Sequence, residues 1–110
     1  MNRKTYNKLI RDKIPEIIKK DNAVPKVSEL DDNQFKVALK EKLVEEAKEL
    51  LEAKTDKEIL NELSDVLQLL ESIALNNNIA IAEVKKQKEK KEVERGGFEK
   101  KLFLEYVDEP

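Results

Sequence analysis

The sequence predicts a mainly α protein: an antiparallel helical bundle carrying a small two-stranded β ribbon. Three observations lead there. Two long stretches place apolar residues at helical spacing, and each follows a capping pair, Asp31/Gln34 and Thr55/Glu58. Helix breakers are few, with two Gly and three Pro in 110 residues. Only two short runs, residues 24–30 and 101–107, read as extended, and a lone strand needs a partner. With no repeat or low-complexity linker, residues 1–110 are expected to form a single domain.

The elements follow in order. A first helix is expected to begin at Asp12, a good N-cap residue, with Pro15 in the first turn where its missing N–H costs nothing. Ile14, Ile17 and Ile18 give it a short apolar face, and Asp21-Asn22 stops it. Pro25 pushes Val24 away from helix, so residues 24–30 read as extended. The second helix is expected over 32–53 and the third over 56–76, where Asn76-Asn77-Asn78 ends it because Asn tolerates a left-handed cap. A fourth runs over 79–94 and stops at Gly96-Gly97. Residues 101–107, with Leu102, Phe103, Leu104, Tyr106 and Val107, read as a strand able to pair with 24–30.

Composition narrows the chemistry. There are 24 acids and 22 bases, a net charge of -2, and no His, Cys or Trp. These absences exclude disulfides, Cys/His zinc sites, His-ligated haem and His-assisted nucleophiles. A metal would need oxygen ligands, which suit Mg²⁺, Mn²⁺ or Ca²⁺. The balanced charge argues against a nucleic-acid partner. No apolar run approaches a membrane span, and the basic start has no apolar run behind it, so a cytoplasmic protein is expected.

Some acids fall on the wrong face. On a helical wheel, Phe35, Leu39, Leu43, Ala47, Leu50 and Leu51 form the apolar arc of the second helix. Glu46 lies inside it, and Glu45 and Glu49 lie just off its edge. On the third helix Glu62 lies inside the arc and Asp65 borders it beside Leu69. A carboxylate in such a stripe is costly unless something pairs it. Glu46/Glu49 and Glu62/Asp65 are each three apart, and the short connection between the helices brings the pairs face to face. A single acidic helix face is ordinarily solvated and paired with lysines such as Lys42 and Lys48. Two matched pairs on consecutive apolar faces favour a divalent metal instead.

The bases are less specific. The run 85–91 is mostly a solvated face, but Lys88, Lys91 and Arg95 share the side that Ile81 and Val84 turn to the bundle. They are candidates to clamp phosphate oxygens, or to snorkel into water past the bundle end. Composition alone assigns no role to Lys8, Arg11 and Lys13, which sit among apolar residues in the N-terminal arm.

Three motifs are familiar together: Tyr-Asn-Lys-Leu-Ile-Arg-Asp-Lys-Ile-Pro at 6–15, Glu45-Glu46-x-x-Glu49 followed by Glu62-x-x-Asp65, and Glu94-Arg95-Gly96-Gly97-Phe98. They resemble the MazG-like all-α nucleoside triphosphate pyrophosphatases, in particular the small phosphoribosyl-ATP pyrophosphohydrolase-like branch. The resemblance runs from Tyr6 to about Tyr106. It implies a helical, dimeric or tetrameric enzyme that uses Mg²⁺ to cleave the α–β phosphoanhydride of a nucleoside triphosphate, giving a monophosphate and pyrophosphate. By motif position, Glu46, Glu49, Glu62 and Asp65 match the metal ligands, and Glu45 and Glu46 are the catalytic candidates. The role of Glu45 stays open between water activation and support of the ligands. Lys88, Lys91, Arg95, Lys8, Arg11 and Lys13 are the candidate phosphate contacts. Ser64 stands where the family more often has Ala. Two other readings compete: a helical dimerisation or protein-interaction module with structural acids, and a nucleotide sensor without turnover. A melting shift with Mg²⁺ and nucleotide separates the first from an enzyme, and a product assay the second.

Overall fold

A computed structural model describes residues 2–110. Four helices follow one another: α1 (Ile14–Lys20), α2 (Asp32–Glu52), α3 (Asp56–Asn76) and α4 (Ile81–Arg95). The capping chemistry accounts for the long pair. The Gln34 N–H donates to Asp31 Oδ1 (2.8 Å) and the Asp31 N–H donates to Gln34 Oε1 (3.1 Å), a complete capping box. At α3 the Glu58 N–H donates to Thr55 Oγ1 (3.1 Å). The Glu58 side chain accepts from the Thr55 hydroxyl and the Lys54 N–H rather than from the Thr55 N–H, so this box is only half made.

The ends also obey local chemistry. Asn22 and Asn78, after α1 and α3, take the left-handed conformation at φ 62° and 56°. Gly96 closes α4 at φ 83°, where a side chain would be strained, and its N–H donates to Glu92 O (2.8 Å). Two helix starts differ from expectation, while the ends of α2 and α4 shift by one residue each, to Glu52 and Arg95. Asp12 does not cap α1; it lies in the preceding turn, and Lys13 stands at the N-cap with no side-chain bond. The helix α4 starts two residues later than expected, at Ile81.

The expected β ribbon does not form: no strand occurs among the described residues. Residues 24–30 and 101–107 have no helical turn, but no backbone hydrogen bond joins them. Strand propensity is satisfied only by a neighbouring ladder, and the fold brings none to the tail. Leu102, Phe103, Leu104 and Tyr106 stay exposed, and α4, which leads into them, touches only α3.

Packing centres on the α2–α3 hairpin, turned by the short connection at Ala53, Lys54 and Thr55. Leu39 and Ala74 are its buried apolar residues, with Phe35, Leu43, Leu50, Ile59, Val66, Leu69 and Ile73 half-buried. The helix α1 packs against no other helix. The molecule is long, 64 × 34 × 29 Å, with a radius of gyration of 18.9 Å. A compact chain of this length would have about 13 Å.

Candidate metal centre

The hairpin that makes the core also makes the site. One buried residue among the described residues is charged: Glu46, 7% exposed, sits at the level of the α2–α3 contact. Its neighbours arrive from both helices. Carboxylate oxygens of Glu45, Glu46 and Glu49 lie within 4.8 Å of one another, and so do those of Glu46, Glu62 and Asp65. Glu46 belongs to both groups, so four other acids meet around it. The three-residue spacing on each helix puts them on facing sides, and the short turn sets them at one height.

Electrostatics follow from burial. Burial pushes the Glu46 carboxyl up to about 7, aided by the nearby carboxylates of Glu49, Glu62 and Asp65. Burial disfavours ionised Glu45 too, but Lys8 and Lys42 outweigh it and hold Glu45 below its ordinary value. Lys42 Nζ lies 3.4 Å from Glu45 and 3.6 Å from Glu46, one helical turn away. Two further cations come from the N-terminal arm: Lys8 Nζ is 3.1 Å from Glu45, and an Arg11 Nη donates to Asp65 at 2.8 Å. The hydrogen bond and charge of Glu45 push the Lys8 ammonium up.

Compensation is still incomplete. Glu46 Oε2 and Glu62 Oε2 are both buried without a hydrogen-bond partner. Orphaned buried carboxylate oxygens are costly, and a divalent cation is the partner that removes the cost for several at once. The donor set fits one. All donors are carboxylate oxygens, the ligand type that hard divalent cations prefer, and within each group they lie no more than 4.8 Å apart. Beside the cluster opens a cleft of about 470 Å³, lined by Glu49, Lys57, Asn61 and Glu62 among others.

The structure therefore brings together Glu45, Glu46, Glu49, Glu62, Asp65, Lys8 and Arg11. It does not bring in the rest. Lys13 stays at the start of α1. Lys88 pairs with Glu92 (3.8 Å) and, with Lys91, lines a shallow groove on α4 beside Ile79 and Val84. Neither these two nor Arg95 forms an ion pair with the acids. Sequence reasoning had treated Lys42 only as a neutralising partner. Its spacing of three and four from Glu45 and Glu46 was the signal that it faces the cluster.

An all-α hairpin with five converging carboxylates fits the MazG-like class that the sequence motifs resemble. Its family can be stated more narrowly: the model for the phosphoribosyl-ATP pyrophosphohydrolases matches residues 4–92, and the chain belongs to that family and is a pyrophosphohydrolase. No curated protein and no solved structure matches it.

Proposed function

We propose that this chain is a Mg²⁺-dependent pyrophosphohydrolase that splits the α–β phosphoanhydride of a nucleotide triphosphate group, releasing pyrophosphate and leaving a monophosphate. The observation that carries the reading is a pair of orphaned, buried carboxylate oxygens, Glu46 Oε2 on α2 and Glu62 Oε2 on α3, in two helices packed on each other. Phosphoribosyl-ATP, the compound in the family's description, is the first substrate to test, with ordinary nucleoside triphosphates beside it.

Glu46, Glu49, Glu62 and Asp65 would hold the metal, and Mn²⁺ would suit the same oxygens. Once bound, the ion supplies Lewis-acid polarisation of the phosphate oxygens and makes water a better nucleophile. The chain's own groups do the rest. Glu45 orients the attacking water by accepting its hydrogen bond, and takes its proton more readily when Lys8 is elsewhere. Lys8 and Arg11, which reach the acids from the arm, would meet the phosphates as charge moves onto the leaving pyrophosphate, with Lys13 further along the arm as a more distant candidate. Lys88, Lys91 and Arg95 lie apart from the acids of their own chain. In the homo-oligomer that we expect, a dimer or tetramer, they are available to a neighbouring subunit's substrate. A cytoplasmic setting, where nucleotides are plentiful, suits this activity.

A nucleotide panel assayed for pyrophosphate with and without Mg²⁺ tests the proposal. Release that needs Mg²⁺ and is highest for one triphosphate-bearing nucleotide is expected. A melting shift with Mg²⁺ and nucleotide but no product from any of them would favour the sensor. Neither shift nor product would favour the interaction module.

A further inference from the structure

The N-terminal arm touches the rest of the chain in an unusual way. Of the ion pairs among the described residues, three lie within a helix at spacings of three or four. The other two, Lys8–Glu45 and Arg11–Asp65, span 37 and 54 residues. Both start in the arm, and both end on acids of the metal centre, one on α2 and one on α3. Between them Leu9 and Ile10 are half-buried, while the arm before Leu9 is exposed. The helix α1 that follows packs against no other helix among the described residues. The arm is therefore tied to both helices of the hairpin by two cations, with Leu9 and Ile10 half-buried between them.

Arg11 sits on an oxygen of Asp65 that a divalent ion would take, and Lys8 sits on Glu45, whose carboxylate lies within 4.8 Å of the Glu46 and Glu49 oxygens. Both cations are also easy to remove, because the Lys8 and Arg11 side chains are 41% and 57% exposed. Exposed ion pairs hold weakly, and water readily takes over their partners. Exchanging them for a divalent ion is neutral in charge, two positive charges leaving as two arrive. Keeping all of them would set a guanidinium and an ammonium against a dication at close range, which is repulsive.

We propose that Lys8 and Arg11 are placeholder cations: they neutralise Glu45 and Asp65 in the metal-free protein, and metal binding frees them and the arm that carries them. This rests on the metal reading of the acids. The exchange keeps the acids paired when no metal is present. It also delivers two free bases to the mouth of the site at the moment a metal–phosphate complex can form there. Lys8 and Arg11 act as positioning residues in this step.

Trypsin reads the exchange directly, since it cuts after Lys and Arg side chains that are free to enter its pocket. Wild-type protein is treated briefly with dilute trypsin, with and without saturating Mg²⁺, and the first peptides are identified by mass. Cleavage after Lys8 and Arg11 is expected to rise severalfold with Mg²⁺. Cleavage after Arg3 and Lys4, which the acids do not hold, is expected to stay constant. Melting of the same samples reports whether Mg²⁺ binds. A rise in Tm with unchanged cleavage at Lys8 and Arg11 overturns the placeholder role alone. No rise in Tm overturns the metal reading and the placeholder together. As a second readout, Lys8→Ala and Arg11→Ala are each expected to tighten Mg²⁺ binding about two- to fivefold. Arg3→Ala, which removes an arm charge held by no acid, is expected not to. Equal effects of all three would mean a general charge effect and overturn the proposal.

Discussion

Glu46 carries most of the account at the scale of single residues. Its place in the apolar arc was legible from the helical wheel, because the wheel depends only on spacing along one helix. Its burial to 7% exposure and its raised carboxyl depend on what α3 brings against it, which no single helix shows. The sign of the pH effect follows. The unfolded chain loses this proton near 4.5, while the metal-free fold keeps it to about 7. Between those values the fold binds more protons than the unfolded chain, so rising pH destabilises it. Metal-free wild type is therefore expected to lose Tm from pH 5 to pH 8, a loss that Glu46→Gln removes, as thermal melts at both pH values would record. Mg²⁺ affinity is expected to rise over the same window, because the metal needs the ionised form. A Glu46→Gln protein with the same pH profile as wild type would put the burial argument in error. The arm bases were legible only in part. Lys8 and Arg11 were marked for phosphates, but their contact with the acids comes from tertiary structure, across 37 and 54 residues.

At the scale of elements, capping explains why α2 and α3 were readable almost to the residue. A capping box is a local pattern over four positions, so neighbours cannot override it easily. The complete box at Asp31 gives a stability prediction. Asp31→Ala is expected to cost about 1 kcal/mol, a fall in Tm of roughly 4–8 °C for a chain of this size. Calorimetry or a circular dichroism melt checks it, and an unchanged Tm would mean that the start of α2 contributes little. The β ribbon was misread for the opposite reason. Strand-forming residues at 101–107 express a preference for a pleated, half-buried surface, not a partner. Nothing among the described residues offers that surface, and the tail remains irregular and exposed.

The whole molecule shows more apolar surface than one chain covers. On α3, Leu60, Leu63, Leu67 and Leu70 form an exposed stripe beside the face that meets α2. On α2, Val37, Val44 and Leu51 recur every seven residues, also exposed. Stripes at these spacings are the seams of helix–helix packing. Periodicity announced the apolar arcs, but not which half of each arc a neighbouring helix of the same chain would cover. Light scattering on the purified protein is expected to give a mass of two or four chains. The pair Leu63→Glu and Leu67→Glu is expected to reduce it to one, and a monomeric wild type would leave the stripes without their occupant. The claim joining all three scales is that two packed helices hold a divalent ion whose presence makes the chain a hydrolase. Its most direct test is pyrophosphate release against Mg²⁺ concentration for wild type and Asp65→Asn, each with the substrate the panel selects. Loss of a metal ligand removes several kcal/mol of transition-state stabilisation, a fall in rate of about 100-fold or more. The account predicts Mg²⁺-dependent release by wild type and that fall in Asp65→Asn, whereas full activity in the folded variant would contradict it.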